Sequence, residues 1–161
     1  MTTRVIAGCL LAITLLFGIL LTPSQRIVVR SGDESIEICR RIPDGERVGL
    51  TFTNSMFGGD VRETYVAAGD SLTRVGFWTE VAAAAEYYAW TRPIDIADGG
   101  YEVAVPDESF ASVPVLIDEV GNYRLVVADE EFGLSGMVDS PVSIVLEVES
   151  STLISSWITD C

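Results

Sequence analysis

Lysine and histidine are both missing from this chain of 161 residues, and all 10 of its basic side chains are arginines. Without histidine there is no Ser-His-Asp or Cys-His pair, no imidazole metal ligand, and no general base poised near neutrality. Without lysine there is no Schiff base, no Ser-Lys dyad and no Walker phosphate loop. Positive charge is scarce as well: 24 acidic residues leave a net charge of −14. No basic stripe with interleaved aromatics offsets that repulsion, so nucleic acid is excluded as a partner. No cofactor or metal site is implied. A carboxylate enzyme remains open in principle through paired Asp or Glu, but no pair stands out. The acidic run Asp129-Glu130-Glu131 lacks the spaced oxygen ligands of a calcium loop and reads as a solvated loop.

Apolar residues are concentrated at one end. Residues 5–21 are uncharged and mostly apolar, and with Thr22 the segment reaches roughly 27 Å as a helix, against a hydrocarbon core of about 30 Å. No small-residue cleavage site follows, so an uncleaved transmembrane anchor is preferred to a removed signal peptide. The organisation expected is a tail at 1–4, an anchor at 5–22, a linker and first strand at 23–31, and a domain at 32–161. Arginines flank both sides of the span, at Arg4 and at Arg26 and Arg30, and the domain is placed on the extracytoplasmic side of a single-pass cell-membrane protein.

Acid excess without lysine is a salt-in halophile's habit, in which carboxylates hold water in concentrated salt; an acidic envelope protein of an ordinary organism is the alternative. Salt at 1 M shortens the Debye length to about 3 Å and screens the self-repulsion. Cys9 falls in the span, whereas Cys39 and Cys161 fall in the domain, where they either pair or remain small apolar side chains. A Cys39 to Cys161 bridge would contribute about 4 to 5 kcal/mol in the chain-entropy model.

Turn signals recur at short intervals, among them Pro43-Asp44-Gly45, Gly58-Gly59-Asp60, Gly69-Asp70 and Asp98-Gly99-Gly100. Between them lie alternating or β-branched runs at 27–30, 35–41, 47–54, 61–67, 71–81, 101–105, 113–117, 123–127 and 142–148. The pattern predicts an all-β fold, an antiparallel sandwich or partly open barrel of about eight short strands. The alanine run 82–85, followed by Glu86-Tyr87-Tyr88, predicts a short helical turn inside a long connection.

The hairpin 47–67 carries the candidate site. Val48, Leu50 and Phe52 share the inward face of its first strand, and Val61, Glu63 and Tyr65 share a face of its second. A carboxylate between a buried valine and a buried tyrosine must find donors or take up a proton. Ser55, the Asn54 amide and the backbone of Gly58-Gly59 are the nearest candidates, with Arg47, Arg74 or Arg124 arriving from other strands. Asn54, Ser55 and Glu63 therefore either organise the loop or bind a ligand.

The order F-T-N-S at 52–55, V-R-E-T-Y at 61–65, G-D-S-L at 69–72 and F-W-T-E at 77–80 resembles the eighteen-fifty domain of unknown function (DUF) family. The likeness runs from about residue 45 to 148 and includes 99–101, 123–125 and 142–148. The family's histidine falls on Asn54, its serine on Ser55 and its glutamate on Glu63. Asn54 is a departure that keeps hydrogen bonding and loses titration. A second departure is the alanine run at 82–85, where the family tends to have glycine. The resemblance implies a non-enzymatic accessory protein beside a TAXI-type TRAP (tripartite ATP-independent periplasmic) transporter, partnered by its membrane subunit or solute receptor. An extracytoplasmic module that binds a small solute or cation through Asn54, Ser55 and Glu63 is the alternative, and an anchored carboxylate hydrolase the third.

Overall fold

Alternating residues of the kind found in RVGLTFT and SIVLEVE present one apolar face each, and such segments bury that face by pairing edge to edge. The computed structural model describes residues 23–32, 36–89, 91–106, 108–138 and 141–152. The strands are β1 (Pro23–Ser31), β2 (Glu37–Ile42), β3 (Arg47–Thr53), β4 (Asp60–Ala68), β5 (Ser71–Thr79), β6 (Ile94–Ala97), β7 (Gly100–Val103), β8 (Glu108–Phe110), β9 (Ser112–Ile117), β10 (Arg124–Val127), β11 (Glu130–Gly133) and β12 (Val142–Thr152). One helix, α1 (Ala82–Ala89), and a 3-10 turn at Ser135–Met137 complete the described elements.

The all-β, antiparallel expectation holds, with more strands than the eight or so foreseen. The strands at β6, β8 and β11 were not foreseen: each is three or four residues long, too short for alternation to register. The expected span at 5–22 and Cys161 lie outside the described residues, and among the described residues no helix is long and apolar enough to cross a membrane. Cys39, on β2, is disulfide-bonded.

A four-stranded sheet in the order β2-β1-β12-β9 faces an eight-stranded one in the order β11-β10-β3-β4-β5-β7-β6, with β8 also paired to β5. Ile27 and Val29 of β1 and Ile144, Leu146 and Val148 of β12 meet Val48, Leu50, Tyr65, Ala67, Leu72, Leu125 and Val127 of the larger sheet in one core. The smaller sheet covers only part of the larger. The remainder, with Val61, Phe77 and Val103, is covered by Ala85 and Ala89 of α1. Four successive alanines begin that helix because alanine has the best helix propensity, and their small size lets the backbone lie close to the strands. Pro93 stands beyond its last turn, where Arg92 N donates to Ala89 O at 2.9 Å.

Two cores on one sheet leave a seam between them. The cross-strand row Leu125, Leu50, Glu63, Phe77, Val103 crosses it, with Leu50 in the first core and Phe77 in the second. Glu63 stands at the seam. Beside it the β4–β5 register slips by one residue between Thr64 and Tyr65, so that Tyr65 pairs with Arg74 and Val75 is left over. This bulge carries Arg74 onto the same face as Tyr65, where its guanidinium lies 3.1 Å from Glu108 and over the Phe110 ring.

Candidate functional site

Asn54 follows the last residue of β3 and folds the chain back. Its Oδ1 accepts from Met56 N at 2.9 Å and Phe57 N at 3.0 Å, the Asx turn that short polar side chains favour. Its own backbone closes the loop, N donating to Gly59 O and O accepting from Gly58 N, both at 2.9 Å. Gly58 and Gly59 take φ of 68° and 75°, the left-handed conformation that glycine adopts without strain. Asn54 is 8 % exposed, and its remaining donor, Nδ2, reaches the Tyr88 hydroxyl of α1 at 3.3 Å. Ser55 is exposed at the loop tip.

Glu63 is half-buried between Val61 and Tyr65, on the face expected. Its donor is none of the candidates named from the sequence: the hydroxyl of Tyr65, two positions along the same strand, donates to Glu63 Oε2. Strand neighbours i and i+2 share a face, so a long tyrosine can reach back over a glutamate. Burial foremost, and the Glu63 charge next, raise the Tyr65 hydroxyl far above its ordinary pKa. Asn54 and Glu63 converge on one group, Tyr88, whose hydroxyl is raised chiefly by burial and then by the Glu63 charge. Ser55 does not join them.

A pocket of about 300 Å³ opens beside this corner, between α1, the β3–β4 loop and the β9–β10 loop. Phe52, Phe57, Tyr87, Tyr88 and Tyr123 supply five rings to its wall, with Asn54 and Asp118 among the polar groups. Tyr87 packs on Phe57 at 5.6 Å and edge-on to Tyr88 at 5.3 Å; Tyr123 stacks on Phe52 at 5.4 Å. Each contact lies in the range at which aromatic pairs attract. The β9–β10 loop is held from several sides. Asp118 Oδ1 accepts from Gly121 N at 2.6 Å, Gly121 O accepts from Thr53 N at 2.7 Å, and Ser135 Oγ donates to Asp118 O at 2.6 Å while accepting from Tyr123 N at 2.8 Å. Gly121 is needed there, because a Cβ would sit 2.1 Å from the Tyr123 ring.

A second, broader hollow of about 1000 Å³ runs over the outer face of the larger sheet. Among its charged groups Arg124 bonds Asp60 at 3.0 Å, and Arg62 lies 5.0 Å above the Trp78 ring. Among the described residues no group of three or more Asp, Glu, Cys or His could hold a metal ion.

Of the three residues singled out from the sequence, Asn54 and Ser55 line the pocket and Glu63 does not; Tyr87, Tyr88, Asp118 and Tyr123 carried no such mark. The Tyr87-Tyr88 pair, in a helix otherwise of alanines and Glu86, was the available signal, since two adjacent helical tyrosines cannot both face the core. No family model, no curated protein and no solved structure matches the chain.

Proposed function

We propose that this chain is a non-catalytic binding module that holds a small ligand in the pocket beside Asn54. It is the alternative that the sequence offered, a small-solute binding module. What supports it is one observation: five aromatic rings line a hollow of about 300 Å³ whose two bordering loops are held by their own hydrogen bonds. That volume lies at the lower end of ligand pockets, and preformed walls reduce the ordering cost of binding. The polar groups at hand are engaged in building the walls, Asn54 in its turn and Asp118 with Gly121.

The test is a panel of amino acids, sugars, carboxylates and amines, followed by NMR of the tyrosine and phenylalanine rings. The expected outcome is that one chemical class moves the ring signals of Phe57, Tyr87 and Tyr123, and that Gly121→Ala abolishes the shifts. If no class moves them, the binding reading falls.

A further inference from the structure

We infer that the ligand of this pocket is a methylated ammonium compound, an organic cation whose N-methyl groups lie against the rings while Asp118 faces its charge. The inference rests on the binding reading above and names its ligand class. Aromatic faces carry the negative side of a quadrupole, and a cation within about 6 Å of a ring centroid is attracted to it. Five aromatic residues and one carboxylate, Asp118, line the pocket, and no arginine does. A second negative charge, Glu63, lies outside the lining and acts on the Tyr88 hydroxyl through its field. Burial keeps the Tyr88 and Tyr123 hydroxyls raised above their ordinary pKa, so both rings stay neutral and keep donor hydrogens.

The other ligand classes fit less well. An anion would meet Asp118 and the field of a chain at −14. A bare metal cation takes six or more oxygens in the case of calcium, and one carboxylate with ring walls cannot replace its water. A methylated ammonium is weakly hydrated and presents methyl groups, so ring walls compensate it well. The mouth suits the same chemistry: Met56, Val120 and Tyr87 line it at 72 %, 76 % and 54 % exposure, three of the seven large apolar side chains exposed among the described residues. Such a concentration marks an interaction site rather than scattered surface apolarity.

The experiment titrates the full-length chain with choline, with 3,3-dimethylbutan-1-ol as its uncharged isostere, and with 3,3-dimethylbutanoate as an anion of similar shape. Asp118→Asn keeps the Oδ1 acceptor for Gly121 N and removes only the charge; Tyr87→Leu removes an exposed ring. Choline is expected to bind at least about tenfold more tightly than the isostere, equal to about 1.4 kcal/mol. D118N should weaken choline roughly tenfold and leave the isostere unchanged, and Y87L should weaken choline several-fold. Equal affinities for choline and the isostere, no effect of D118N on choline, or no choline binding each overturn the inference. Binding by the isostere or the anion with choline silent leaves the pocket standing and removes the cation; silence of all three and of the wider panel removes both.

Discussion

Asn54 Nδ2 and the Tyr88 hydroxyl, 3.3 Å apart and 34 positions distant in sequence, join the β3–β4 loop to helix α1. The same asparagine holds the loop through Met56 N and Phe57 N. One side chain thus fixes both the loop's shape and its distance from the helix, and the pocket lies between the two.

Asn54→Ala removes an acceptor from two loop NH groups and the tie to Tyr88. The expected loss is about 1–2 kcal/mol, a fall in melting temperature of about 2–8 °C. Asn54→Asp keeps the acceptor and should fall by less. Thermal denaturation of the two variants checks the order.

Tyr65 and Glu63 form a pair that a double-mutant cycle can isolate. Tyr65→Phe leaves the carboxylate at the seam without its hydroxyl donor, and Glu63→Gln removes the charge. Each single change should destabilise, and their coupling should reach about 1 kcal/mol, held down because Glu63 is half-exposed. Strict additivity in urea unfolding would contradict the pair.

Gly121→Ala forces the Tyr123 ring off Phe52, because the new Cβ lies 2.1 Å from it. Overpacking of this kind costs about 1–3 kcal/mol. A changed near-ultraviolet circular dichroism spectrum, with the far-ultraviolet spectrum intact, is the expected signature of a ring displaced in an unchanged fold.

Acid stability should depend on Glu149, which Arg30 at 2.7 Å and Arg26 at 2.6 Å hold below the ordinary carboxylate value of 4.5. A carboxyl with a depressed folded pKa contributes stability that is present above its unfolded value and lost as pH falls through the folded one. Glu149→Gln should therefore weaken the protein at neutral pH and flatten its stability loss below pH 4.5. The alkaline side runs oppositely. Tyr65, Tyr88 and Tyr123 are raised above 10 by burial, so stability is complete below pH 10 and declines as pH climbs past it. Unfolding curves across pH check both limbs.

The β10–β11 hairpin turns on Ala128 and Asp129 with φ of 49° and 64°, both in the left-handed region. A two-residue turn of that shape favours Asn-Gly, so Ala128→Asn with Asp129→Gly should stabilise by about 1 kcal/mol. An unchanged urea midpoint would show that the turn is not strained.

Alternation along a strand is a local property, and it was readable wherever a strand was long enough. Val48, Leu50 and Phe52, and Val61, Glu63 and Tyr65, fall on the faces their spacing requires, because a period of two needs no knowledge of partners. The loop at Asn54 was likewise visible, since Asx turns and paired glycines act within a few residues. The alanine run announced its helix by propensity, and the lack of lysine and histidine removed whole classes of chemistry before any fold was considered. The donor to Glu63 was within reach of the same rule: Tyr65 lies two residues along the strand on the same face, although alternation by itself does not say which of several donors a carboxylate takes. The pocket depended on more still. Residues 52–57, 87–88 and 118–123 meet only because the register of the larger sheet brings the ends of β3 and β10 together and α1 covers what the smaller sheet leaves open. No local pattern encodes that meeting, since it arises from how two sheets of unequal width divide one apolar face.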